Sequence, residues 1–296
     1  MSTAAAIFLD TSIQIARVLR GPKHARDIEG RLKQYGITLT GLIVRQEFKR
    51  RVLKEAKYLI EQLDRRATIA DLLRHLNEGL GPYHDRRKRK ICINIVASFL
   101  DRGTFKSESN EEQIDRLRAY LEFLLETGLD DFDDSVDHVV QVSGCAAALS
   151  SVRKRKGKYD LGNDFCSRNK DCGVAKMLAG RKESVDKLVD AVAALSDGEL
   201  TDELKKGKQF LQDWGMNPAM VCGSDPCLKV GDILVAIESA TAPTFYTMNH
   251  KESRYLAPAL GQELVVHSSK EGEGDVVCPV GVPVPQFGKI TIRAEA

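Results

Sequence analysis

Two short runs at opposite ends of the chain limit what it can fold into more than anything between them. Near the C-terminal end, Gly231-Asp232-Ile-Leu-Val-Ala-Ile-Glu238-Ser-Ala reads as an amphipathic helix. It feeds Thr244-Phe-Tyr-Thr-Met-Asn249, a short β-branched and aromatic strand with an Asn just past it. At the start, Ala5-Ala-Ile-Phe-Leu-Asp10-Thr-Ser12 is an apolar run too short for a buried helix, closed by an Asp and a helix cap. An Asp at the carboxyl end of a strand stands where an open α/β sheet places its ligand chemistry. The two ends therefore make the chain an enzyme candidate.

The segments beside these runs extend the frame. A helix capped by Ser12 is expected to Leu19, stopped by Gly21-Pro22, and Tyr35 to Thr40 reads as a turn into a brief extended piece. Thr40 then caps a long helix through Leu42, Ile43, Glu47, Val52, Leu53, Leu59, Ile60 and Leu63. From Asp64 to Gly215 the pattern is almost wholly helical: Thr68–Leu80, Lys90–Leu100, Glu111–Thr127, Ser135–Ser151, Cys172–Leu178, Ser184–Leu195 and Thr201–Trp214, separated by glycines. Strand signals return at Glu263–His267, Asp275–Cys278 and Lys289–Arg293. The expected organisation is an α/β frame formed by residues 1–63 and 216–296, with a large all-α insertion at 64–215.

Composition excludes little. The 44 Lys and Arg nearly balance 42 Asp and Glu, so only local patches can speak for or against nucleic acid. No apolar run approaches the roughly 20 residues needed to span a bilayer, and no basic leader precedes the first one, so no membrane association and a cytoplasmic location are expected. The seven cysteines are odd in number and scattered, which suits a reducing compartment. Cys166/Cys172 and Cys222/Cys227 have five and four residues between them, not the two typical of a zinc knuckle, so these thiols are read as small buried hydrophobes and not as structural zinc ligands.

Asp10, Glu47 and Asp232 lie near the ends of three separated elements and converge on one cleft if the first strand is central. Asp225, paired with Pro226 as cap and first residue of a helix, is seven residues from Asp232, hence on the same face of a continuous helix. Clustered carboxylates repel unless a cation neutralises them, and hard oxygen ligands suit Mg²⁺ or Mn²⁺. Such an ion polarises phosphoryl groups and activates water, the requirement of phosphodiester hydrolysis.

In order and character, Phe8-Leu9-Asp10-Thr-Ser12, Arg45-Gln-Glu47-Phe, Val230-Gly231-Asp232-Ile-Leu-Val-Ala236 and Thr247-Met-Asn249-His-Lys-Glu252 before Leu256 resemble the successive motifs of PIN domains, a Mg²⁺/Mn²⁺-dependent ribonuclease family. The resemblance covers residues 4–56 and 222–267 and implies a Rossmann-like α/β/α sandwich with a mainly parallel sheet. It implies Asp10, Glu47 and Asp232 as catalytic, metal-binding acids, Asn249 where a fourth acid often stands, and the hydroxyl of Ser12 or Thr11 steadying Asp10. The implied activity is endonucleolytic cleavage of RNA, with single-stranded nucleic acid in general as the wider substrate class. Two departures are the neutral Asn249, which weakens a second metal site, and the long insertion.

Other features carry bland readings beside sharp ones. Glu47 shares its helix with Arg45, Lys49, Arg50 and Arg51, where a solvent-facing ion pair is the common fate of a Glu. The basic runs holding Arg86, Arg87, Lys88 and Arg89, and Arg153, Lys154, Arg155 and Lys156, are phosphate-binding stripes or solvated helix ends. With aromatics at 6% and none among these runs, backbone recognition is expected over base stacking. The acidic run Asp130 to Asp137 has neither the Gly nor the Glu of a calcium loop and reads as a helix cap and solvated loop, able to dock on a basic run. His138 and Cys145, seven apart on one helical face, read as packing residues. The competing function is a catalytically weak scaffold or RNA-binding module in an RNA-processing or defence assembly, with a protein partner on the insertion. A homodimer is compatible with either. Convergent acids favour the enzyme; a Lys or Arg among them favours the scaffold.

Overall fold

The computed structural model describes residues 5–19, 22–78, 86–103, 108–162, 166, 172–196, 198–216, 227, 230–268 and 274–280. Asp225 and the expected strand Lys289–Arg293 lie outside the described residues. The frame is a six-stranded sheet in the order β3-β2-β1-β6-β7-β8. Its members are β1 (Ala6–Leu9), β2 (Ile37–Gly41), β3 (His138–Val140), β6 (Thr244–Thr247), β7 (Glu263–Val266) and β8 (Val276–Cys278). The first five run parallel and β8 is antiparallel at the edge.

Strand β1 is central because both its faces are apolar and it has helices to cover them. Phe8, Phe245, Leu264 and Val266 point into one core cluster, whereas Ile7, Leu9, Tyr246 and Val265 point into the other, the period of two expected of a strand. The second face is closed by α1 (Thr11–Leu19), through Ile13 and Ala16, and by α2 (Pro22–Leu32), through Ile28 and Leu32. The first face carries the thicker layer. It begins with α3 (Leu42–Phe48), a π-helical turn (Lys49–Leu53) and α4 (Lys54–Leu63), continuous along the expected long helix. Next come α5 (Ile69–Glu78), α6 (Arg86–Asp101) and α7 (Asn110–Asp134), which starts with a capping box between Ser109 and Glu112. After the short α8 (Ala146–Leu149) come α9 (Gly173–Gly180), α10 (Lys182–Ala193), α11 (Asp202–Met216), α12 (Gly231–Ser239) and α13 (His250–Ala259). No helix among the described residues is long and apolar enough to cross a membrane.

The middle of the chain is not all-α. The helix expected over Ser135–Ser151 is replaced by β3, which adds to the sheet beside β2 with Leu39 opposite His138 and Gly41 opposite Val140. The β-branched Val136, Val139, Val140 and Val142 favour extension here, and Gly144, at φ 50°, interrupts the chain before α8. His138 and Cys145 therefore do not share a helical face. The run Arg153–Lys158 is no helix end but a hairpin of β4 (Arg153–Arg155) and β5 (Lys158–Asp160), turned by Lys156 and Gly157, both at positive φ. The helices of the middle segment pack into the same core as the sheet: Leu121, Leu125, Leu188 and Trp214 join one cluster with Phe8, Phe48 and Leu264.

The acidic run closes α7 instead of opening a helix. Asp133 accepts from Nε of Arg45 at 2.8 Å and Asp137 accepts from the Thr38 amide at 2.7 Å, so the basic partner of this run is Arg45 of α3, which belongs to neither basic run. Thr40 caps nothing, since it belongs to β2 and its hydroxyl donates to the Leu9 carbonyl. The N-terminus of α3 is served instead by the fully buried Glu238 of α12, whose Oε2 accepts from the Ile43 amide at 2.9 Å. Gly41 has to be glycine at this junction, because a Cβ there would lie 1.8 Å from the same oxygen.

Candidate active site

Connections leave β1 and β6 toward opposite sides of the sheet, which makes the crevice at their carboxyl ends a topological switch point. Asp10 stands there as the cap of α1, its carbonyl accepting from the amides of Ile13 and Gln14. Its Oδ1 accepts from the Thr11 amide at 2.7 Å. Its Oδ2 accepts from the hydroxyls of Ser12 and Thr247, each at 2.7 Å. Because both hydroxyl protons are committed to Asp10, both oxygens are left to accept amide protons, Ser12 from Met248 and Thr247 from Asn249, each at 2.9 Å. The exit of β6 is thereby latched to the start of α1, with the Asp10 side chain held in one orientation. Ser12 steadies Asp10 as expected, while the Thr11 hydroxyl donates to Oε2 of Glu47 at 2.7 Å and orients the second acid.

Glu47 lies against the start of α12. A Cβ on Gly231 would come to 2.3 Å from its Oε1, so the close approach depends on glycine. The next residue, Asp232, is half-buried in the first turn of α12, and among the described residues no hydrogen-bond donor reaches its carboxylate. Burial first, and then the charges of Glu47, Asp10 and Glu252, push its pKa up to about 7, against a lesser opposing pull from Arg51. Asp10, Glu47 and Asp232 are thus brought within electrostatic reach of one another.

Three further participants were named in the sequence without a site role. Thr247 is one. Glu252, 5% exposed in the first turn of α13, brings the fourth carboxylate that Asn249 does not supply. Asn249 itself sits at the cap of α13, and its side chain makes no capping bond. The signal for Glu252 was its position three residues beyond Asn249, one helical turn on. The third is Arg51, whose guanidinium is 3.5 Å from Oε1 of Glu47 with the side chain 45% exposed. Glu47, and then Asp232 and Asp10, raise its pKa.

Arg45 and Lys49 of the same helix are engaged elsewhere. Arg45 makes a two-pronged pair with Asp133 and also donates to the Ala148 carbonyl. Lys49, fully buried, donates to the carbonyls of Ala147 and Ser150 and to the Ser150 hydroxyl, and burial lowers its pKa to about 8. Of the basic runs, Arg86 and Arg87 begin α6 with side chains outside the described residues, Lys88 and Arg89 are half-buried, and Arg89 donates to the Asn77 carbonyl. Arg153, Lys154, Arg155 and Lys156 are exposed on the hairpin, with Lys154 3.4 Å from Glu122 and over the Tyr159 ring. The guanidinium among the acids belongs to neither run.

The donor set fits a hard divalent cation. Oδ1 of Asp10 keeps a lone pair beyond its one amide, and both oxygens of Asp232 are open. Among the described residues, no three His, Cys, Asp or Glu side chains are drawn up as a ready-made metal cage, so an ion would gather these oxygens inward. Comparison with protein-family models, with curated proteins and with solved structures gives no match, and function has to be read from these residues.

Proposed function

We propose that the chain is a metal-dependent PIN-like nuclease, a cytoplasmic endoribonuclease that hydrolyses phosphodiester bonds. The observation that carries this reading is Asp232: a carboxylate with no hydrogen-bond donor among the described residues, crowded by three others at the switch point of a mostly parallel sheet. A structural Asp is paired or capped, and this one is neither. Asp10, Glu47 and Asp232 would hold Mg²⁺ or Mn²⁺, with Glu252 behind them. When bound, such an ion acts as a Lewis acid toward phosphate and acidifies a coordinated water. The chain's own part is orientation. Ser12 and Thr247 aim Asp10, Thr11 aims Glu47, and Gly231 lets Glu47 approach the start of α12 beside Asp232. Arg51 offers a planar fork of donors to phosphate oxygens at the rim.

The test is cleavage of end-labelled single-stranded RNA and DNA with Mg²⁺, Mn²⁺ or EDTA, alongside Asp10→Asn and Asp232→Asn. Metal-dependent cutting of RNA abolished by both substitutions is expected; cutting that survives both, or none with any metal, refutes the reading. One observation favours the scaffold alternative: Arg51 already sits beside Glu47 as an internal counter-ion. If Arg51→Ala binds Mn²⁺ and the unaltered chain does not, the scaffold reading prevails.

A further inference from the structure

One face of the β4–β5 hairpin is engaged and the other is not. Residues paired across the hairpin share a face, so Lys154 and Tyr159 point one way and Arg153, Arg155, Lys158 and Asp160 point the other. The first face lies on α7, where the Tyr159 hydroxyl donates to Glu126 at 2.7 Å and Lys154 stands 3.4 Å from Glu122. On the second face Arg153, Arg155 and Lys158 are exposed, and none of them is in an ion pair among the described residues. Asp160 is turned back to the Gly162 amide at 2.8 Å. Beside the hairpin runs a groove of about 700 Å³, walled on its other side by the end of α4. Lys57 and Arg65 line it together with Lys158, and neither is in an ion pair among the described residues. Of its two acids Asp64 is taken by Arg118 at 2.9 Å, which leaves Glu61 against three cations. The groove also connects with the acid cluster along one helix. Glu47 and Lys57 are ten residues apart on the continuous run of α3, the π-helical turn and α4, about 15 Å at a rise of about 1.5 Å per residue. Arg51 beside the acids, the exposed Lys54 and the half-buried Lys57 recur at every third position between them, the spacing of neighbours on one side of a helix.

We propose that this groove and the outer face of the hairpin hold the phosphate backbone of a single-stranded RNA and lead the strand along Lys57, Lys54 and Arg51 to the acids. The identity of the strand as RNA rests on the nuclease reading; the selection of a polyanion rests on the cations alone. The whole chain carries a formal charge of only +2, so these unpaired cations, gathered on two facing walls, are a local field and not a share of a general excess. Lys and Arg that neutralise phosphates release the counterions condensed on the strand, which supplies the affinity. Recognition is of the backbone. The one aromatic ring lining the groove, Tyr159, is 5% exposed and has its hydroxyl bonded to Glu126, so it offers no face for a base to stack on. The binding is therefore indifferent to sequence and steeply dependent on salt. The hairpin supplies this surface because Lys156 and Gly157 fold the basic run back on itself, which puts Arg155 and Lys158 side by side.

The test is binding of a fluorescent single-stranded RNA of mixed sequence to the full chain carrying Asp10→Asn/Asp232→Asn, in EDTA, titrated from about 50 to 200 mM salt. Each phosphate contact to a single strand adds about −0.7 to the slope of log K against log salt, which is about a fivefold gain in affinity at about 0.1 M salt relative to about 1 M. In that background Lys57→Gln/Lys158→Gln and Arg153→Gln/Arg155→Gln should each flatten the slope by about 1.4 and weaken binding about 25-fold at about 0.1 M salt, with the Tm unchanged. Glu61→Gln should tighten binding. Lys205→Gln/Lys206→Gln removes the same charge from exposed positions of α11 and should change binding less than about twofold. No RNA binding at about 50 mM salt, an unchanged slope and affinity in both groove variants, or an equal loss in the α11 variant overturns the proposal. So do groove variants that weaken polyglutamate of equal charge and leave RNA unmoved, which would assign the surface to an acidic protein partner. The same RNA given to the chain with its acids intact separates the two readings: binding as expected without metal-dependent cutting refutes the nuclease and leaves the groove, whereas full cutting by groove variants that bind RNA as before does the reverse.

Discussion

Asp232→Asn should make the metal-free protein more stable while removing its function, and the gain should depend on pH in a defined direction. The carboxyl has an ordinary value of 3.8 and is raised to about 7 in the fold. Because the folded value lies above the unfolded one, Asp232 costs little below about pH 3, where both states are mostly protonated. Its penalty grows as pH rises, since the unfolded chain ionises freely and the folded one does not, and it is complete above about pH 7. At 1.36 kcal/mol per pH unit the full penalty is up to about 4 kcal/mol, an upper bound because Glu47, Asp10 and Glu252 adjust to the lost charge. Asparagine keeps the shape and removes the charge. Thermal melts in EDTA at pH 5 and pH 8 should show a larger Tm advantage for the variant at pH 8, by several degrees at about 2–4 °C per kcal/mol. Added Mn²⁺ should raise the Tm of the unaltered chain and leave the variant unmoved. A variant equally destabilised at both pH values would refute the argument, because Asp232 would then be an ordinary structural partner.

Three other substitutions test the scaffold around it. Gly231→Ala places a Cβ 2.3 Å from Oε1 of Glu47 and should lower metal-dependent cleavage by about 100-fold with little change in the urea midpoint, a split read by assay and melt on one preparation. Thr247→Val removes the donor to Asp10 and the acceptor of the Asn249 amide and should cost about 1–3 kcal/mol in urea unfolding, together with activity. Gly41→Ala drives a methyl into the Glu238 carboxylate, which has no room to retreat, and should cost more than about 3 kcal/mol, seen as loss of soluble protein or of the cooperative transition.

The sheet's centre and three acids were legible because each is announced locally. The run at Ala6–Leu9 is apolar on both faces and ends in Asp10, and Glu47 and Asp232 sit on helices of regular period. The rest depended on distant partners. Strand β3 is three residues long at a sheet edge and comes after a 25-residue helix, so no window shows its alternation. In α2 the charges outnumber the apolar residues, and only Ile28 and Leu32 mark the buried side. Glu238 and Thr247 look like ordinary residues of a helix and a strand until α3 and Asp10 are set beside them.

The pairing of Ile7 in β1 with Thr244 in β6 has a consequence in time. At about 5–20 residues per second, a ribosome needs roughly ten to fifty seconds to travel between those partners. Through that interval the first acid is already exposed, but Thr247 has not been made to orient it and neither Asp232 nor Glu252 exists beside it. On the proposed reading, a chain that cuts RNA is assembled on a machine made of RNA. Dividing its acids between two stretches more than 180 residues apart in sequence keeps the blade unassembled until the ribosome has passed Glu252.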